Sequence, residues 1–299
     1  MIDEEHFPDA KFRDYVSSTF DKNTDGLLSK EEIEAVTYIF VNGKGISSLQ
    51  GVEYFVNLQS LYADVNRIQT LDVSKNVNLI TLNVNNNELK SITLPNQEEN
   101  NTLIYLDVFA NRLTSLDVSN LHALTFLHAD DNALTHLDLS ENPLTQSHGF
   151  VAMNNYLESI TLPNNNVEYP WTTFLQTQLF PRDKLVGYKV VWYTNPEKTD
   201  VLDPVATPTI RCTGQTLYAQ YVPITYTVEF QSGGGTGTME NQTFQYGTAQ
   251  NLNANQFEKE HYVFGGWKST NGRTFDDQQS VQNLTDTDGA TIVLTATWK

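Results

Sequence analysis

A single cysteine, Cys212, stands in 299 residues, so no intramolecular disulfide can form. Stability has to come from a packed core, and a chain of this length can build one or more. No His or Asp lies near Cys212 in sequence, so it reads as a half-buried thiol rather than a nucleophile. Basic residues are scarce: 18 Lys and Arg face 36 Asp and Glu, a net charge of −18. Phosphate recognition needs a basic footprint, so no nucleic-acid partner is expected. Attraction to anionic lipid is disfavoured for the same reason. No apolar run approaches ~18 residues, which excludes direct membrane insertion. The start, Met1-Ile2-Asp3-Glu4-Glu5, is acidic and is not a signal peptide, so the chain is expected to be cytoplasmic or already cleaved. Catalytic signatures are missing too. There is no G-x-S-x-G, no H-E-x-x-H and no Cys–His pairing, so an enzyme is not expected.

Asparagine and leucine are abundant, and they recur. Leu61 to Leu71 reads L-x-A-x-x-N-x-I-x-x-L, and Leu82, Leu106, Leu127 and Phe150 open the same phrase. The frame asparagines are Asn66, Asn87, Asn111, Asn132 and Asn155, at spacings of 21, 24, 21 and 23. A fixed period of this size is that of a leucine-rich-repeat solenoid. The longest spacing absorbs the polar insert Gln97-Glu98-Glu99-Asn100-Asn101. Paired apolar residues such as Leu82 and Val84 alternate at period two, which makes a short strand with one face inward. A second pair per turn, such as Ile92 and Leu94, closes the opposite wall. The frame Asn carries two donors and an acceptor, so it can serve backbone groups at the turn that would otherwise be buried unpaired. No turn buries its apolar face alone, so the turns must stack.

The first open turn needs an amphipathic cap. Pro8 to Phe20 supplies a helix, with Phe12, Tyr15, Val16 and Phe20 on one face. Asp21-Lys22-Asn23-Thr24-Asp25-Gly26-Leu27-Leu28-Ser29-Lys30-Glu31-Glu32 then fits D-x-[DN]-x-[DN]-G-x5-E. In that pattern Asp21, Asn23, Asp25, the Leu27 carbonyl and a bidentate Glu32 hold one structural calcium ion. Ser29 and Glu32 also form a capping box for the next helix, and capping without a metal is the competing reading. Ile39 to Leu49 reads as an imperfect first turn, with Lys44 at the frame position.

Residues between the inward apolar positions share the open face of the strands. There Tyr62, Tyr105, Phe109 and Phe126 stand amid Asp64, Asn83, Asn85, Asp107, His128 and Asp130. Aromatics beside carboxylates and amides suit a surface that docks protein loops or stacks on sugar rings. The alternative is that the rings only shield one another. With no second His in these rows, the His128 cluster reads as a solvated polar patch rather than a metal or acid–base site.

The Asn frame stops after Asn166, and Gly, Thr, Tyr and Val rise. Gln215 to Tyr221 parallels Ile292 to Trp298, and Gly187 to Trp192 loosely parallels His261 to Trp267. Two tandem β-rich modules are therefore expected, at 167–223 and 224–299, behind a cap at 1–35 and a solenoid at 36–166. The fold class is mainly β with a helical N-terminal cap. Acidity concentrates in residues 57–166, with four basic against twelve acidic residues. That balance suits solubility, calcium or a basic partner.

The cap, the loop and the LxxLxVxxNxLxxLDVS turns, with Asp72-Val73-Ser74 and Asp117-Val118-Ser119, resemble bacterial internalin-type leucine-rich-repeat surface proteins. The last module resembles the Listeria–Bacteroides repeat through Tyr226–Phe230, Gly234-Gly235-Thr236-Gly237, Tyr246-Gly247, Phe264-Gly265-Gly266-Trp267 and Trp298. The resemblance implies export to the extracellular space or bacterial cell surface, with signal and anchor outside this chain. It implies adhesion, as a monomer, to a host or neighbouring-cell protein or glycan through the solenoid. It also implies a β-grasp-like fold for the terminal modules. A structural spacer or assembly module of a larger surface protein is the alternative.

Overall fold

The computed structural model describes residues 1–96, 101–144, 149–170, 178, 186–203, 206 and 208–299. The Gln97–Asn100 part of the polar insert lies outside the described residues. The chain forms two units. One comprises residues 1–179 and 192–219, and the other comprises 180–191 and 220–299.

The first unit opens with the helix Ala10–Phe20, which starts two residues later than the sequence suggests. Asp9 is the reason. Its carboxylate accepts from the Lys11 and Phe12 N–H groups and caps the helix. Its second oxygen accepts from the Ser47 N–H and hydroxyl, which fastens the cap to the first turn. Phe12 and Val16 are fully buried. Phe7, also buried, meets Phe12 and Phe55 at 5.9 and 6.3 Å between ring centroids. The expected capping box is formed at the short helix Lys30–Glu34 by Ser29 and Glu32.

Six parallel strands follow in one sheet, Tyr38–Phe40, Ser60–Tyr62, Thr81–Asn83, Tyr105–Asp107, Phe126–His128 and Phe150–Val151. Their register is the repeat itself: Ile39, Leu61, Leu82, Leu106, Leu127 and Phe150 lie side by side and point inward. The opposite wall is also extended, with Thr70–Asp72 parallel to Ser91–Thr93 and His136–Asp138 parallel to Ser159–Thr161.

The asparagines tie each turn to the one before. Asn111 is 8% exposed. Its carbonyl accepts from the Leu89 N–H at 2.9 Å, and its amide donates to the Val84 and Val108 carbonyls, both at 3.0 Å. Asn66, Asn87, Asn132 and Asn155 repeat the pattern through Ile46, Ile68, Leu113 and Leu134. The ladder does not end with the asparagines. Gln178, 2% exposed, donates to the Ala152 carbonyl and accepts from the Leu157 N–H. Glutamine offers the same amide on a longer arm, so a search for Asn alone stops one rung early. A second, sparser set was also missed. Asn76 donates to Val52 and Phe55 carbonyls, and Asn142 to those of Val118 and Leu121.

Residues 167–223, expected as a module of their own, are shared between the two units. Thr216–Pro223 is an eight-residue strand whose start pairs antiparallel with Ser159–Thr161, Leu217 lying opposite Ile160. Glu168–Pro170 pairs with Thr209–Arg211. Leu217 and Cys212 are completely buried, so these strands extend the solenoid core instead of starting a new one. Cys212 is thus fully rather than half buried, and burial pushes its thiol up to about 12.

The second unit is a five-stranded sheet in the order Gln242–Gln245, Thr225–Gln231, Thr291–Trp298, Phe264–Ser269, Thr274–Phe275. The central pair is parallel and the others are antiparallel. This is the strand order of a β-grasp, but among the described residues the crossover at 252–263 is irregular instead of helical. Trp267, fully buried, packs on Phe230, Phe257 and Phe264. Gly233 requires its missing side chain: a Cβ there would lie 2.0 Å from the Ala296 carbonyl oxygen.

Each ladder Asn is preceded by a left-handed residue: Val65 (φ 57°), Asn86 (52°), Ala110 (52°), Asp131 (52°) and Asn154 (52°). Asn and Asp tolerate that region, whereas a β-branched residue is strained in it by about 1–2 kcal/mol. Val65 is 58% exposed, so it recovers little by burial. Val65→Asn should therefore raise the unfolding free energy by roughly 1 kcal/mol in urea titration.

Candidate functional site

The open face of the six-stranded sheet carries three outward rows, because side chains two apart along a strand share a face. The structure brings the predicted residues together on that face, but it sorts them into distinct groups.

Aromatics stack on this face, mostly between neighbouring strands and once within the first strand. Tyr105 and Phe126 lie 4.5 Å apart with planes 4° from parallel. Phe109 covers the His128 ring at 4.8 Å and 13°. Tyr62 stacks on Phe40 at 5.0 Å and 7°, and Phe40 on Tyr38. Tyr38 and Phe40 are the most exposed aromatics here, at 53% each. They were left out of the predicted site although they occupy the same outward positions. The period-two alternation of Tyr38, Ile39 and Phe40 carries the signal, in a turn that lacks the frame asparagine.

His128 is not a solvated patch, as the sequence suggested. Its Nδ1 lies 3.5 Å from an Asp107 oxygen and its Nε2 3.4 Å from an Asp130 oxygen. Both carboxylates are buried, at 5% and 7% exposure. Asp107 also accepts from the Asn85 amide at 2.9 Å and the Phe109 N–H at 3.1 Å, and Asp130 accepts from the Met153 N–H at 2.7 Å. Buried carboxylates require such partners. Hydrogen bonding to Asp107 and then Asp130 raises His128 from 6.5 to about 9, against the opposing effect of burial. Burial alone would raise Asp107, but hydrogen bonds from His128, Asn85 and Phe109 outweigh it and hold the carboxyl below its ordinary value. His128 is therefore an imidazolium at neutral pH, held between Asp107 and Asp130. Nearer the cap, Asn42 donates to Asp64. Asn83 supports the Asn85 N–H.

In the loop after the first helix, Asp21 accepts from the Asp25 and Gly26 N–H groups, Asn23 from Asp25 and Asp25 from Leu27. Glu32 accepts from Lys22 at 2.7 Å and from Ser29 at 2.8 Å. Those backbone bonds lower its pKa. Among the described residues no three His, Cys, Asp or Glu side chains are gathered as a metal would need. The carboxylates of the calcium-type pattern thus serve backbone N–H groups, one donor on each Glu32 oxygen, and each oxygen keeps a further lone pair.

Charging of His128 links stability to pH. Its folded-state pKa is raised, so the contribution is complete below pH 6.5 and is lost as the pH rises through about 9. Unfolding free energy should fall by about 1–3 kcal/mol across that window. In the variant His128→Gln urea titration should show no such fall.

Residues 226–290 match the family model of the Listeria-Bacteroides repeat domain. No curated protein matches the chain. Among solved structures it is similar to the functional domain of InlJ from Listeria monocytogenes, which includes a cysteine ladder. Identity is 33%, coverage is 47% of this chain and 30% of that one, and the TM-score is 0.42. It is also similar to the internalin InlF from Listeria monocytogenes, with 23% identity, coverage of 52% of this chain and 58% of that one, and a TM-score of 0.34. The chain thus spans less than two thirds of either. Among the described residues no helix is long and apolar enough to cross a membrane. The sequence repeats and the family match agree: this chain resembles the internalin-type leucine-rich-repeat surface proteins of bacteria, with a Listeria–Bacteroides repeat at residues 226–290.

Proposed function

We propose that this chain is a non-enzymatic surface recognition protein that binds a partner through the open face of its solenoid. One observation carries the reading: Tyr62, Tyr105, Phe109 and Phe126 remain partly exposed around a buried, charged Asp107–His128–Asp130 triad. Partly exposed rings fixed by neighbours lose little entropy on binding, which is what an anchor residue needs. The triad holds the centre of the face rigid, because moving any member would leave a buried charge unpaired.

Between a protein and a glycan, the stacking favours a protein. Sugar rings pack on aromatic faces, and here Tyr105 and Phe126 already cover each other's faces, as do Phe40 and Tyr62. Each such pair has one face of both rings taken, which leaves less ring face for a sugar and leaves edges that suit aliphatic side chains and backbone carbonyls. Twelve acidic against four basic residues in 57–166 favour a partner with a basic surface.

The experiment is an array of host proteins and glycans probed with the wild-type chain and with the triple variant Tyr62→Ser, Tyr105→Ser, Phe126→Ser, in calcium and then in chelator. A hit lost in the triple variant while the melting temperature holds is the expected result. Retained affinity in that variant would sink the open-face reading. Loss in chelator alone would instead give the Asp21–Glu32 loop a structural ion.

A further inference from the structure

The solenoid has a sheet edge beside its cap, and a groove runs along it. Thr37 accepts from the Gln59 and Ser60 N–H groups, and Val41 donates to Tyr62, so these residues face the neighbouring strand. By the alternation of a parallel ladder, the Tyr38 and Phe40 backbone groups face the other way, off the edge. The Phe40 N–H is covered, donating to the Tyr15 hydroxyl at 3.1 Å. Tyr38 and its neighbour Thr37 line a groove of about 450 Å³ on that edge. Its walls include Phe20, Ala35, Val36 and Tyr38, and its rim carries Glu31, Glu32 and Lys22.

We propose that this groove receives an extended basic peptide segment of a partner protein, which adds to the sheet edge at Tyr38. Three observations support that occupant. An outward N–H and C=O at an edge strand form the template for strand addition. The apolar walls offer a pocket for one side chain of the added strand, and the volume lies in the range of ordinary ligand sites. Charge selects the sign: Lys22 sends its amine to the Thr19 carbonyl, Glu31 is exposed, and residues 1–56 hold eleven acidic against five basic residues. An added strand with Lys or Arg beside its apolar anchor meets that field favourably, whereas an acidic strand is repelled. This contact uses the backbone edge and the groove rather than the Tyr62, Tyr105, Phe109 and Phe126 rings, and it meets the ring row only at Tyr38, which stacks on Phe40.

The probe is the peptide acetyl-Thr-Val-Lys-Val-Arg-Val-amide, with a counterpart carrying Glu in place of Lys and Arg. Amide exchange of the full chain, read residue by residue, should slow at Tyr38 on adding the basic peptide. The acidic peptide should bind at least about tenfold more weakly. Ala35→Arg is the matching variant. Ala35 is exposed at the end of a helix, where a cation is tolerated, so the fold should stand while the groove is filled and its net negative charge is cancelled. Loss of basic-peptide binding in Ala35→Arg with an unchanged melting temperature supports the proposal. No binding, binding without slowed exchange at Tyr38, or binding unaffected by Ala35→Arg would each overturn it.

Discussion

The amide side chain that crosses from one turn to the next is the constraint on which the first unit depends. Every turn brings the chain inward after its strand, and that brings backbone N–H and C=O groups into a dry interior. Each unpaired group there costs on the order of 1–3 kcal/mol. One amide settles several of these at once: Asn87 accepts from Ile68 and donates to the carbonyls of Ala63 and Val84. The leucines supply the driving force, but the asparagines fix the register. A leucine wall alone would tolerate slippage between turns, whereas the amide geometry does not.

From this ladder follow the flat, in-register rows of the open face. Because the turns stack without slip, Tyr105 comes to lie against Phe126, and Asp107 opposite His128. Long-range order in the site therefore comes from residues that never reach the surface. The strain is local too. The residue before each amide adopts a left-handed backbone, and the sequence meets this with Asn or Asp three times but with Val65 and Ala110 at the other two positions.

The solenoid was legible because its signal repeats five times, and the capping box because its residues are contiguous. Other features were hidden for physical reasons. Gln178 replaces Asn with one more methylene, which preserves the hydrogen bonds and breaks the pattern. The burial of Asp107 and Asp130 is set by neighbours about twenty residues away, so a row of residue types cannot show it. The strand Thr216–Pro223 looks like part of a separate module, since its alternation is the same whichever sheet it joins; only the partner, Ser159–Thr161, reveals its place. In the Asp21–Glu32 loop the sequence pattern leaves two roles open, because carboxylates that suit calcium also suit the backbone N–H groups they accept from here.

The most direct test replaces one rung with a side chain of the same shape. Asn111→Leu keeps the branched heavy-atom skeleton, adds apolar surface and removes four hydrogen-bonding roles: acceptance from Leu89 and donation to Val84, Val108 and Phe109. Unfolding free energy from urea titration should drop by about 3 kcal/mol or more, since several buried backbone groups lose their partners together. A drop below about 1 kcal/mol, or a gain, would show that apolar burial rather than the amide ladder holds the turns in place.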